Sequence, residues 1–323
     1  MTIVSAPHEL IESDVYVDLK PLVSRDLYLK CEGFNFGGSV KMRTAAAMVA
    51  AAERAGLLNA DSVLIESSSG NLGAALSVVA AGKGLRFVCV TDPRCNTAAL
   101  RLMAALGTEV IVVDRPDPVD GLLGARKARV KELCRADPRY VWLNQYENPA
   151  NWIAHYEGTA AMIAKQFPAL DVLFVGTGTG GTLMGCARYF REHGNGVRVV
   201  AVDSNGSANF GGPAGLRLIP GLGSSTPAPC LDLDIVDDTI QVPEADTIRS
   251  CRALMARGFL FGGSTGTVVS GAMTWLEQHD PDRRLTSVAI APDLGERYLD
   301  TIFSDEWVRA NFGFPVAEPA AWA

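Results

Sequence analysis

The stretch Cys31–Thr44 reads CEGFNFGGSVKMRT and sets one lysine, Lys41, directly behind a Gly-Gly-Ser turn. Asp26–Cys31 has the pattern of a strand. Val40–Ala55 has that of a helix closed by Gly56. Ser39 fits the helix N-cap. Lys41 then falls in the first turn, where the helix dipole disfavours a cation. A lysine so placed loses its proton more easily and offers the free amine that condenses with carbonyl compounds. A surface lysine that tolerates its place is the plainer alternative. A second strand-to-helix turn, Glu66–Gly73, reads ESSSGNLG. Its hydroxyls and backbone N–H groups can bind a carboxylate, whereas a simple helix cap needs only one of the serines.

A third turn follows the strand pattern at Asp171–Val175 and reads GTGTGGT from Gly176 to Thr182. Glycines let the chain turn tightly and bring N–H groups close to an anion, and the next helix adds its positive end. Three readings are open: a phosphate cradle, a dinucleotide loop, or a bare turn. The spacing of Gly176, Gly178 and Gly181 satisfies G-x-G-x-x-G, with Asp203 ending the following strand as a dinucleotide fold requires. No Lys-Ser/Thr pair closes the loop, which excludes a Walker-type site. The threonine hydroxyls favour a compact phosphate monoester.

Elements that position such turns alternate along the chain. Strand patterns occur at Ser62–Ile65, Arg86–Val90, Glu109–Val113, Tyr140–Leu143, Val197–Val202 and Ser287–Ala291. Helix patterns occur at Asn71–Ala81, Thr97–Leu106, Val119–Cys134, Asn151–Gln166, Thr182–Glu192 and Thr265–Gln278. Repeated β-α units imply parallel sheet covered on both faces. Arg115–Asp120 is a loop, and Asn205–Pro229 is a long irregular stretch.

Composition narrows the function class. The 29 basic and 36 acidic residues give a net charge of −7, and there is no polybasic run. That argues against nucleic acid or an anionic membrane as partner. The seven cysteines are scattered without a C-x-x-C pair, and the four histidines lack ligand spacing. Neither a disulfide framework nor a metal site is expected. Apolar runs near Ala45–Ala52 and Gly73–Ala81 are too short to span a bilayer. No secretory signal is visible, and a cytoplasmic location is expected.

The motifs GGSVK, SSSGNLG, NQYENPAN (Asn144–Asn151), GTGTGGT and GGSTG (Gly262–Gly266) occur in this order, with DLGER (Asp293–Arg297) near the end. Together they resemble the cysteine synthase family of fold-type-II pyridoxal-phosphate (PLP) enzymes from about Asp26 to Leu299. The dinucleotide reading explains only one of these motifs. The resemblance implies an α/β fold of two parallel-sheet lobes, of the tryptophan synthase β-like class, with PLP in the cleft between them. Residues 44–144 would form a smaller mobile lobe, and 1–43 plus 145–323 a larger one that binds the PLP phosphate. A homodimer is implied too. Lys41 would carry PLP covalently and act as the general base. Asn71 would bond the cofactor's 3′-oxygen. Gly176, Thr177, Gly178, Thr179, Gly180, Gly181 and Thr182 would hold its phosphate, and Ser264 would face its pyridine nitrogen. Ser67, Ser68, Ser69, Asn71 and Gln145 would clamp the substrate carboxylate. A serine at the pyridine nitrogen makes a milder electron sink than a carboxylate does, which favours loss of a β-substituent.

Several segments depart from ordinary cysteine synthases. Met42-Arg43 follows the lysine where the family usually has Asp. Ile219–Ser225 reads IPGLGSS in place of a QGIGAG-like segment. Ala201–Gly212 and Gly262–Thr267 also differ. These features are similar to the branch that joins O-phospho-L-serine to the amine of L-glutamate, a step toward L-2,3-diaminopropionate for siderophores and peptide antibiotics. A dianionic leaving group and a dicarboxylate acceptor require several cations or N–H donors in the cleft. Arg126, Tyr146, Arg217 and Arg43 are the candidates. Cysteine or O-substituted-serine synthesis is the alternative, and a non-catalytic sensor or partner subunit is a remote one.

Overall fold

The computed structural model describes residues 3–11, 14–194 and 196–313. Its strands form two sheets. The larger has the order β1-β2-β10-β7-β8-β9, where β1 is Tyr16–Asp18, β2 Leu27–Cys31, β7 Val172–Gly176, β8 Arg198–Ser204, β9 Asp238–Val242 and β10 Ser287–Ala291. All its pairs are parallel except β1 with β2. The smaller sheet is wholly parallel in the order β5-β4-β3-β6, from β3 Val63–Ser67, β4 Arg86–Thr91, β5 Glu109–Val112 and β6 Tyr140–Trp142.

The central strands read as continuous apolar runs because both faces are covered. Every residue of β3 and β10 is buried, as expected of parallel strands inside an α/β layer. The helices in chain order are α1 Lys20–Val23, α2 Lys41–Arg54, α3 Asn71–Lys83, α4 Thr97–Ala105, α5 Gly121–Ala136, α6 Ala150–Ala154, α7 Ala161–Gln166, α8 Gly181–Glu192, α9 Glu244–Met255, α10 Gly263–His279 and α11 Asp305–Phe312. Helix α10 crosses the large lobe's core, with Val268, Val269, Ala272 and Trp275 packed against Val172, Phe174 and Val200. Helices α2 and α3 share the small sheet's core through Met48, Val49, Leu76 and Val79.

The structure revises several expectations. The helix expected at Asn151–Gln166 is α6 and α7 joined by a π-helical turn, His155–Ala160. Such turns are uncommon and concentrate at functional sites. Ser39 does not cap α2: Val40 holds the cap position without a side-chain bond, and the Ser39 hydroxyl is buried with no partner among the described residues. The backbone explains this, because Ser39 is bridged to Asp293 and Val40 N–H donates to Pro292 O at 2.7 Å. The turn is therefore held by strand-end contacts rather than by a cap. Among the described residues no helix is long and apolar enough to cross a membrane.

Candidate active site

The loops after β2, β3, β4, β6, β7 and β10 meet in one cavity of about 260 Å³. These are the carboxyl ends of the parallel strands of both sheets, where α/β folds collect ligands. Lys41 opens α2 on the cavity wall. Burial around its amine, partly offset by Cys230, lowers its pKa to about 8. The shift has the expected direction, but burial is its leading cause rather than the helix dipole.

The Gly-rich turn faces Lys41 in the same cavity, which Gly176, Gly178, Thr179, Gly180, Gly181 and Thr182 line. Gly180 has φ +85° and caps α8, and among the described residues no side chain caps the first N–H groups of that helix. A Cβ on Gly178 would lie 2.9 Å from Gly221 O, and one on Gly181 only 2.1 Å from Asn151 Oδ1. Here glycine is required by close approach, and the free helix N-terminus is suited to an anion. Thr177 does not line the cavity: it is fully buried and its hydroxyl has no partner among the described residues.

Behind this turn lies a buried polar network. His155 Nε2 is 3.3 Å from Thr182 Oγ1 and 3.1 Å from Thr44 Oγ1, while its Nδ1 is 3.0 Å from Thr159 Oγ1. Thr159 in turn donates to Glu32 Oε1 at 3.0 Å. Burial, with Arg43 and Lys41 nearby, pushes the His155 pKa well below its usual value, so the ring is neutral. The π-helical turn sets His155 and Thr159 on one interior face. Asn151, one turn earlier, donates to Gln145 O at 2.7 Å and to Thr179 Oγ1 at 3.3 Å. This network ties the NQYENPAN segment to the Gly-rich turn.

The serine loop divides its labour. Ser68 Oγ accepts from Gly73 N–H at 2.9 Å and Gly70 N–H at 3.3 Å, which shapes the start of α3. Ser68, Ser69, Asn71 and Gln145 line the cavity; Ser67 does not. Ser67 instead meets Tyr146 Oη at 3.2 Å, and its carbonyl accepts from Gln145 Nε2 at 2.8 Å. Below it Glu66 accepts from Ser67 N–H, Gln145 N–H and Trp142 Nε1–H at 2.7, 3.0 and 3.0 Å. Burial raises its pKa to about 7 in spite of those bonds. Ser264, at the start of α10, is buried and also lines the cavity.

The candidate acceptor and phosphate contacts separate into two groups. Arg126, Tyr146 and Arg217 line the cavity, whereas Arg43 does not. Arg43 is buried beside Glu32 at 3.7 Å and donates to Ile11 O at 3.2 Å. It is a lobe-core residue, so its candidacy for the cleft is withdrawn. Arg43→Met is expected to destabilise the protein by about 3 kcal/mol, because it leaves Glu32 buried and uncompensated. Substrate KM should be unchanged. Urea unfolding together with steady-state kinetics checks both, and a selective rise in KM would return Arg43 to the site. Arg94, Lys127 and Arg297 also line the cavity, though sequence reasoning had not assigned them a role. The one available signal was position: Arg94 follows directly on the carboxyl end of β4, and Arg297 closes the DLGER motif.

An amine of pKa about 8 opposite an uncapped helix N-terminus suits a phosphorylated carbonyl compound, with the amine meeting the carbonyl and the N–H groups the phosphate. The comparisons with known proteins agree. The profile described as "Pyridoxal-phosphate dependent enzyme" matches residues 15–293. The chain is 40% identical over 286 residues to an N-(2-amino-2-carboxyethyl)-L-glutamate synthase of Ralstonia nicotianae, covering 88% of this chain and 84% of the relative. It is 39% identical over 310 residues to a protein of the same name from Cupriavidus metallidurans, covering 93% and 90%. Among solved structures it is similar to O-ureido-L-serine synthase, with a TM-score of 0.87, 31% identity and 99% of each chain covered. It is also similar to a hydrogen sulfide-producing enzyme of Fusobacterium nucleatum, with a TM-score of 0.86, 31% identity, and 92% and 100% covered. The chain belongs to the pyridoxal-phosphate dependent enzyme family.

Proposed function

We propose that this enzyme joins O-phospho-L-serine to L-glutamate, forming N-(2-amino-2-carboxyethyl)-L-glutamate and phosphate on the way to L-2,3-diaminopropionate. The observation that carries this reading is the charge of the cavity. Lys41, Arg94, Arg126, Lys127, Arg217 and Arg297 line it against a single carboxylate among the described residues, that of Asp92, in a chain whose net charge is −7. A cleft of that sign recruits a dianionic donor and a dicarboxylate acceptor. The two relatives named N-(2-amino-2-carboxyethyl)-L-glutamate synthase support the same reading.

In this reading Lys41, Asn71, Ser264 and the turn from Gly176 to Thr182 hold the cofactor. Thr177 and Ser67 act from behind the wall. When bound, pyridoxal phosphate supplies a carbonyl for the donor's amine and a conjugated ring that takes up electron density from its α-carbon. Lys41 removes the α-proton as the base its lowered pKa allows. The Cβ–O bond breaks, and phosphate leaves toward Arg217. The glutamate nitrogen, without its proton, bonds to Cβ, and Lys41 returns a proton to Cα. Ser68, Ser69 and Gln145 hold the donor carboxylate, while Arg126 and Tyr146 meet the acceptor. Residues 44–144, which carry the small sheet, are the lobe that moves, and the enzyme acts as a cytoplasmic homodimer, the commonest closed assembly.

The test is to add O-phospho-L-serine to the PLP-loaded protein, follow the visible spectrum, and then add L-glutamate or sulfide separately. Reversal by glutamate with formation of the predicted amino acid supports the proposal. Reversal by sulfide alone, or response only to O-acetylserine, replaces it with cysteine synthesis. Failure to turn over any donor leaves the non-catalytic reading.

A further inference from the structure

Asn71 is held at both ends of its amide by the DLGER segment. Arg297 Nη1 donates to Asn71 Oδ1 at 2.8 Å, and Asn71 Nδ2 donates to Asp293 Oδ2 at 3.4 Å. A guanidinium has only donors, so Arg297 admits one sense of the amide: oxygen toward Arg297, nitrogen toward Asp293. The second N–H of Asn71 is then the group left for a ligand. Asp293 is itself fixed, accepting from Tyr298 Oη at 2.5 Å and from Thr265 Oγ1 at 3.3 Å, next to Ser264. Arg297 reaches further still. Its Nη2 donates to Gly37 O at 2.6 Å, in the turn that carries Lys41, and its carbonyl accepts from Asn96 Nδ2 at the cap of α4. One side chain thus touches the Lys41 turn and Asn71 at once, and both it and Asn71 line the cavity.

We propose that Arg297, backed by Asp293, is a positioning residue that fixes the amide sense of Asn71, so that Asn71 meets the bound cofactor only as a hydrogen-bond donor. This rests on the reading of Asn71 as a cofactor contact, and it is independent of which donor and acceptor the enzyme uses. Without Arg297 the amide turns over and presents its oxygen to the ligand in part of the population. Lysine at 297 supplies a cation but not the fork, because it lacks two parallel donors in fixed geometry.

The experiment uses PLP-loaded parent, R297K, R297M, N71A and the double variant N71A/R297M. It reads the visible band of the bound cofactor without substrate, the pH dependence of that band, and kcat with O-phospho-L-serine. The R297M band should move as the N71A band does, with kcat about tenfold lower and KM little changed. R297K should fall between R297M and the parent. In the N71A background the R297M change should add nothing to the band, because coupled residues are not additive. An R297M band identical to the parent's, even with a lower unfolding midpoint, assigns Arg297 a purely structural role and overturns the proposal. So do additive shifts in the double variant. An N71A band identical to the parent's removes Asn71 from the cofactor contacts, and the proposal falls with it.

Discussion

Apo-protein carrying Lys41→Met is expected to be more stable than the parent at neutral pH and to lose essentially all β-replacement activity. The parent holds an amine whose pKa is lowered to about 8 by burial, against roughly 10.4 in an unfolded chain. The unfolded state therefore binds more protons through that window, and parent stability rises with pH across it. Below the folded value the penalty is fully present, about 3 kcal/mol by linkage. Methionine removes the penalty at similar volume. The advantage of the variant should be complete at pH 7, shrink as pH rises through 8, and vanish near the unfolded pKa. Urea unfolding of both apo-proteins at three pH values measures it. Turnover should drop by roughly four orders of magnitude, since in the proposed mechanism the side chain serves as both nucleophile and general base. A variant less stable than the parent at pH 7 would show that the Lys41 amine is not held in a desolvated place. Retained turnover would move the chemistry to another residue.

Arg126→Met should raise the KM for the acceptor about 30- to 300-fold while sparing the spectral response to O-phospho-L-serine. Arg126 Nε lies 3.3 Å from Asp92 Oδ2. Yet Nε and Nη1 are buried and make no hydrogen bond among the described residues. Buried guanidinium donors without partners are costly, and an acceptor carboxylate arriving at the cavity would satisfy them. Lys127, stacked on Tyr146 at 5.1 Å from the ring centre, adds charge at the same wall. Methionine at 126 also leaves Asp92 without its cation, so Arg126→Met/Asp92→Asn serves as the control for folding. Loss of the donor response in both variants would place Arg126 at the phosphate of the donor rather than at the acceptor.

The anion cradle, the lysine turn and the serine loop were legible in the sequence because each is local. A strand end, a glycine turn and a helix start lie within about ten residues, and their chemistry follows from backbone geometry. The parallel, doubly covered strands were legible for a similar reason, since burial on both faces leaves a continuous apolar run such as VLFV at Val172–Val175 of β7. Edge strand β1 was missed because three half-buried or exposed residues leave no pattern to read. The π-helical turn was missed because one altered turn hardly changes a helical periodicity.

What the tertiary structure alone decided was the fate of individual polar side chains. Arg43 and Arg126 are both arginines on helices and both buried. One is consumed by Glu32 in a lobe core and the other opens on the cavity. Ser67 and Ser68 are neighbours, yet alternation along the end of β3 turns only Ser68 to the cleft. Asn71 and Arg297 meet across 226 residues of chain. The sense of a single amide, and with it the donor or acceptor character of a site residue, therefore depends on contacts that no local pattern encodes. Local backbone geometry determined where the open helix N-terminus and the lysine amine lie. Long-range packing, which sets the partners and desolvation of each charge, decided which residues are free to act there.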